Sequence, residues 1–143
     1  MTISRLIADR SGEIWSCHAD DSVAQAVEML ATRRIGALPV HDAGDRVAGI
    51  FSERDVLYCL NKHGGAALDL KVRDVMTAPA ITIEPDTPVL EALALMTRRR
   101  IRHLPVVRQG ALVAFVSIGD LVKYRIDSIE AEAEAMRSYI QTA

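Results

Sequence analysis

Ile101-Arg102-His103-Leu104-Pro105-Val106-Val107 nearly duplicates Ile35-Gly36-Ala37-Leu38-Pro39-Val40, which lies upstream at a constant offset (101 − 35 = 66). Each copy follows a pair of arginines, Arg99-Arg100 and Arg33-Arg34. The match runs outward in both directions. Val23, Ala26, Val27 and Leu30 map at the same offset onto Val89, Ala92, Leu93 and Met96. Downstream, Gly49-Ile50-Phe51-Ser52-Glu53-Arg54-Asp55 maps onto Ala114-Phe115-Val116-Ser117-Ile118-Gly119-Asp120 at an offset of 65, one residue being lost from the intervening turn. An internal repeat of this kind governs every later assignment, and function has to be read from the pair.

A unit of about 60 residues buries too little surface to be stable alone, so two copies sharing an interior suit a chain of 143 residues. Half the residues are hydrophobic but only 4% are aromatic, which fits an aliphatic α/β interior and argues against disorder. A net charge of −2 provides no general attraction to nucleic acid or an anionic membrane. Cys17 and Cys59 are far apart and match neither zinc nor redox spacing, so they read as buried hydrophobes of a reducing compartment, with no metal expected. The start of the chain lacks the apolar segment of a signal peptide, and no run is long enough to span a membrane, so the expected location is cytoplasmic.

Each unit reads as strand, helix, strand, strand, helix. Ile3, Leu6 and Ile7 form a short amphipathic lead-in to the first, as Val72, Val75 and Met76 do to the second. Opening strands are expected over Ile14–His18 and Ala80–Glu84. Asp21 is expected to cap the next helix; in the second copy Thr87 caps, with Pro88 at the first helical position. Those helices carry apolar residues at i, i+3, i+4 and i+7. Hairpins follow, turning at residues 41–45 and 108–110, then helices from Ser52 to about Lys62 and from Ser117 to about Ile140. The organisation is therefore residues 1–69 (first repeat with its lead-in), 70–125 (second repeat) and 126–143 (helical extension), the repeats forming one module. Along the last helix Val122, Ile126, Ile129, Ala133, Met136 and Ile140 are spaced 4, 3, 4, 3, 4, the seam of a helix that packs on another helix. That partner is either its own domain or a second copy, and the polar surroundings at Glu130, Glu132, Glu134 and Arg137 favour a homodimer.

A tandem of units, each with Ile-x-x-Leu-Pro-Val leading into its strand and Ser-x-x-Asp opening its last helix, resembles the CBS-domain pair, or Bateman module. The resemblance covers about residues 12 to 125. It implies an α+β fold in which two β-α-β-β-α repeats are related by a pseudo-two-fold axis, here with a long C-terminal helix added. It also implies clefts between the repeats for adenosyl ligands such as AMP, ADP, ATP, NAD or S-adenosylmethionine, and disc-like dimers.

Taken alone, Ser52 with Asp55 and Ser117 with Asp120 are capping arrangements at helix starts. A carboxylate there can also accept both hydroxyls of a ribose, and a helix N-terminus favours phosphate. The resemblance assigns the aspartates to ribose and the serines to the ribose or phosphate. It sets the opening strand of the opposite repeat beside each aspartate, Trp15 and Ser16 beside Asp120, and Thr77, Ile81 and Thr82 beside Asp55. Of the two, the Asp120 cleft is preferred, because Ile118-Gly119 leaves an uncharged entry where the first copy has Glu53-Arg54. In the basic cluster Arg98, Arg99 and Arg100 suit a helix C-terminus, whereas Arg102 and His103 lie beyond it and are candidate phosphate contacts. His18, His41 and His63 read as structural or solvated.

No phosphate loop, His-Glu-x-x-His or nucleophile elbow occurs, so no enzyme activity is expected. The expected function is a nucleotide-sensing regulatory module whose ligand alters the angle between repeats or subunits for an effector protein to read. No cofactor is required beyond that regulatory ligand. The alternative is an assembly adaptor acting through the C-terminal helix, with the Ser/Asp pairs serving only as caps. Nucleic-acid binding through the arginine cluster would need a basic face that the net charge does not supply.

Overall fold

The computed structural model describes residues 1–10, 12–44 and 46–142. Helix α1 (Ile3–Ala8) is followed by β1 (Cys17–His18), α2 (Val23–Arg33), β2 (Ala37–His41), β3 (Val47–Ser52) and α3 (Glu53–His63). After a 3-10 segment come α4 (Val72–Val75), α5 (Val89–Arg99), β4 (His103–Arg108), β5 (Ala111–Ser117) and α6 (Ile118–Thr142). The fold is α+β, two repeats with one small sheet each and a long final helix.

The sheets have the order β1-β2-β3 and β4-β5. In both hairpins the Leu-Pro-Val strand runs antiparallel to the next, with Leu38 opposite Phe51 and Leu104 opposite Val116. The second hairpin turns at Gln109 and Gly110, both at positive φ (52° and 82°), the two-residue turn whose twist matches the strands it joins. Asp45, the last residue of the first expected turn, lies outside the described residues. The opening strands are shorter than expected. Residues 14–18 contribute only Cys17 and His18, parallel to Val40 and His41. Residues 80–84 form no strand: Ile83 alone bridges to Val106, donating to the Pro105 carbonyl at 3.0 Å and accepting from Val107 at 2.8 Å. Prolines 79 and 85 flank that stretch and supply no N–H to extend a ladder.

The caps shift by one residue. Ser22, not Asp21, caps α2, accepting from the Gln25 N–H at 3.1 Å while Gln25 Oε1 accepts from the Ser22 N–H at 2.9 Å. A Gln three residues on makes that box reciprocal, which Asp21 lacks. Asp21 instead accepts from the His18 N–H at 2.9 Å and closes the preceding turn. In the second repeat Pro88 is the cap residue, and Thr87 Oγ1 accepts from the Glu84 N–H at 3.3 Å.

Two apolar cores result. The first gathers Val23, Ala26, Leu30, Leu38, Val40, Phe51 and Cys59, and the second Val89, Ala92, Met96, Leu104, Val106, Val116 and Leu121. The lead-in helices are distributed between them in an unexpected way. Val72 of α4 is buried in the first core, which precedes it in the chain, whereas Ile3 of α1 is buried in the second. Matching backbone contacts hold each one. Ser22 bridges to Lys71, and Thr2 bridges to Pro88. Burial of a side chain the size of Ile3 contributes about 2 kcal/mol. The start of the chain is thus fastened to the second repeat, and the residues just after α1 are delivered to the seam between the repeats.

Candidate functional site

Each repeat ends its second hairpin strand in a serine that turns the chain into a helix, and three residues on stands an aspartate. In the first, Asp55 Oδ2 accepts from the Ser52 N–H at 2.9 Å, and in the second Asp120 Oδ2 accepts from the Ser117 N–H at 2.9 Å. These capping interactions fix both carboxylates at helix N-termini, where the dipole favours negative charge. The neighbours that complete each aspartate are different.

Asp55 is buried and its second oxygen is taken: Thr77 Oγ1 donates to Oδ1 at 3.0 Å. Thr77 is itself pinned by two main-chain hydrogen bonds with Ile50, both 2.9 Å. Asp120 is completed by a cation instead. Arg10 Nη2 lies 2.8 Å from Asp120 Oδ2, and Nη1 donates to the Phe115 carbonyl at 3.1 Å. Phe115 occupies in the second repeat the place of Ile50 in the first. Burial acts to raise the Asp120 carboxyl, but Arg10 and the Ser117 N–H outweigh it and hold the pKa below its ordinary value, so the group is ionised at neutral pH. Its side chain keeps 36% exposure, and Oδ1 accepts no hydrogen bond among the described residues.

Two cavities flank the wall between the repeats. The larger, about 700 Å³, joins Asp120 and Ser117 to Trp15, Ile14, Glu13, Arg10 and Asp9. The smaller, about 400 Å³, joins Asp55, Ser52 and Thr77 to Tyr58, Arg54, Arg100 and Arg102. Gly36, His103 and Ser117 line both. A Cβ on Gly36 would lie 3.2 Å from Glu53 Oε1 and 3.6 Å from His103 Cε1, so glycine keeps that wall thin. His103 lies flat against Phe115, with ring centroids 5.4 Å apart and planes inclined by 11°. Burial, then the Arg102 charge, pull its pKa below the ordinary imidazole value, which favours the neutral ring. Trp15 has the Arg33 guanidinium 3.6 Å over its ring and remains 37% exposed.

Of the sequence candidates, Asp120, Ser117, Trp15 and His103 meet at the larger cavity, and Asp55, Ser52, Thr77, Arg102 and His103 at the smaller. Arg102 lines only the Asp55 side, while His103, the next residue, stands in the wall the two cavities share. Ser16, Ile81 and Thr82 line neither cavity. Ile81 instead packs on the second core. Arg10 was not among the candidates. It lies in the lead-in, upstream of the residues the two copies visibly share, and the docking of α1 on the second core brings it to Asp120. Elsewhere, burial and then the nearby Asp21 push the Cys17 thiol up to about 12, an inert side chain. No cluster of His, Cys, Asp or Glu able to hold a metal ion occurs among the described residues.

Paired repeats enclosing two polar-walled clefts, each with a helix-start aspartate, define a tandem small-domain module. The CBS domain model matches residues 7–62 and again 72–127, and the chain belongs to the CBS-domain family. It is 39% identical over 132 residues to the CBS domain-containing protein CBSX3, mitochondrial, of Arabidopsis thaliana, covering 90% of this chain; the chain spans 64% of that relative's length. Among solved structures, a CBS-domain protein of Burkholderia ambifaria described as a putative signal-transduction protein is 35% identical, with a TM-score of 0.81 over 89% of this chain and 95% of that one. CBSX2, solved in complex with AMP, is 26% identical, with a TM-score of 0.71 over 80% of this chain and 89% of that one.

Proposed function

We propose that this chain is a regulatory module that binds an adenosyl ligand in the Asp120 cleft and passes its occupancy to an effector protein. The observation that carries this reading is the contrast between the aspartates. Asp120 is ionised and partly exposed, and its Oδ1 accepts no hydrogen bond among the described residues at the roomier cleft, whereas both oxygens of Asp55 are already satisfied. A ribose diol needs a carboxylate able to accept two hydrogen bonds, and Asp120 offers that at the cost of loosening one ion pair. Trp15 and Ile14 supply an apolar lining for a purine. The AMP bound to CBSX2, a relative of the same fold, supports the ligand class. Candidate ligands are AMP, ADP, ATP, NAD and S-adenosylmethionine. The ligand is regulatory, with no catalytic step and no other cofactor, and the module acts in the cytoplasm as a homodimer. Occupancy shifts the angle between repeats only by the difference in affinity for the two shapes.

Isothermal titration calorimetry with those five ligands is the test. Micromolar binding of at least one, lost in Asp120→Ala and retained in Asp55→Ala, is the expected result; no binding by the wild type overturns the reading. A second reading, an adaptor working through α6, draws support from that helix's exposed apolar residues, Val122, Ile126, Ile129, Met136 and Ile140. It expects assembly to be lost on truncation after residue 126, with no ligand bound at all.

A further inference from the structure

We infer that Arg10 is a specificity-determining residue: the guanidinium paired with Asp120 turns to the 5′ substituent of a ligand whose ribose takes that carboxylate. The cleft then favours adenosine 5′-phosphates over adenosyl compounds with an uncharged or cationic 5′ group. This rests on the adenosyl reading of the same cleft.

The two repeats solve one structural problem in two ways. Thr77 closes the first aspartate with a short neutral side chain anchored by its own main chain, beside Gly49, which has no Cβ to keep it away. Ala114 stands in the position of Gly49 in the second repeat, and there a long side chain reaches in from Arg10. The first closure is a fixed part of the fold. The second hangs on a side chain 40% exposed, two residues past the end of α1, with one ion pair and one hydrogen bond among the described residues. Its backbone root is held by α1 in the second core, so the head is what can move.

Charge decides where the head goes. The charged residues lining the larger cavity are Asp9, Glu13 and Asp120 against Arg10, with His103 favoured as the neutral ring. Once ribose hydroxyls occupy Asp120, Arg10 is the one guanidinium or ammonium among the described residues of that lining, which also carries three carboxylates. A phosphate entering without it would face those carboxylates with only the N-terminus of α6 in its favour; with it, the planar fork offers paired donors. A methylthio group gains nothing from the same guanidinium, and a sulfonium is repelled by it.

Calorimetry with AMP and with 5′-methylthioadenosine separates the possibilities. The wild type is expected to bind AMP roughly tenfold or more tightly than 5′-methylthioadenosine, the scale of one charge-assisted hydrogen-bonded contact. Arg10→Gln is expected to abolish that preference by weakening AMP alone, because freeing Asp120 does not hinder the uncharged ligand. Arg10→Lys should restore part of it. Thermal melts of each variant confirm folding. Equal wild-type affinities, or an Arg10→Gln variant that weakens both ligands alike or leaves AMP untouched, overturn the inference while the adenosyl reading stands. If the wild type binds neither compound nor any other adenosyl ligand, both fall together.

Discussion

Gly49 lies so close to Thr77 that a Cβ on it would sit 2.6 Å from the Thr77 carbonyl oxygen and 2.9 Å from Met76 Sδ. That carbonyl accepts from the Ile50 N–H at 2.9 Å, so it cannot retreat without breaking the bridge that ties the linker to the first repeat. Gly49→Ala is therefore expected to destabilise the fold by about 1–3 kcal/mol, the scale of an overpacked contact. A chemical-denaturation midpoint measures it. Ala114→Gly at the corresponding place in the second repeat relieves no such contact, and a loss of equal size in both variants would contradict this account.

The aspartates should separate stability from binding. Asp55 is 8% exposed and caps α3 while accepting from Thr77, so Asp55→Ala removes a cap and leaves the Thr77 hydroxyl without its acceptor. The expected cost is about 1–3 kcal/mol. Asp120→Ala removes a half-exposed ion pair and a cap, and about 1 kcal/mol or less is expected once solvent screening is counted. Ligand affinity should follow the reverse order. Thermal melts and calorimetry on the same two proteins give both readings.

His103 sets an acid sensitivity. Its pKa is lowered in the folded chain, first by burial and then by Arg102, with Asp120 and Glu53 acting the other way. The unfolded chain accordingly takes up the proton at higher pH than the folded one, and stability contributed by the neutral ring is lost as pH falls below about 6.5. Urea midpoints at pH 7.5 and pH 5 should differ more for the wild type than for His103→Gln, which cannot titrate. An unchanged pH dependence in the variant would assign the sensitivity elsewhere.

The repeat itself was legible because both copies bury the same continuous run: Leu104, Pro105 and Val106 stand where Leu38, Pro39 and Val40 stand, and each strand meets its hairpin partner in the same register. Helices α2 and α5 followed from apolar spacing, and their ends moved only by the residue separating Asp21 from Ser22 or Thr87 from Pro88. The opening strands were overread, since the apolar run of residues 80–84 contributes packing and a single bridge. The Asp120 ion pair was out of reach for a different reason. It depends on α1 docking on the repeat furthest from it in sequence, and a periodic pattern states which face is buried but not against which core. The same limit sent Arg102 to the Asp55 side of a wall that only the folded chain defines.

Helix α6 runs for 25 residues, about 37 Å, yet only Leu121 is fully buried along it. Ile118 and Tyr124 pack partly on the second core, and Ser128 Oγ lies 2.9 Å from Met1 Sδ. The seam does not fold back on its own repeat: Val122, Ile126, Ile129, Met136 and Ile140 keep 42%, 50%, 47%, 61% and 66% exposure. Residues spaced 4 and 3 apart on one stripe are worth burying against a matching stripe, and a second copy of the same helix presents one. Ile126→Asp with Ile129→Asp places two charges in the middle of that stripe while touching neither core. The wild type is expected to run at twice the chain mass in light scattering and the double variant at the chain mass, with its thermal transition still cooperative. Adenosyl binding should persist in the double variant, because the Asp120 cleft is built within one chain. Should the double variant retain the wild-type mass, the dimer contact lies on another face, and the exposed apolar residues of α3, Leu57, Tyr58 and Leu60, are the next surface to substitute.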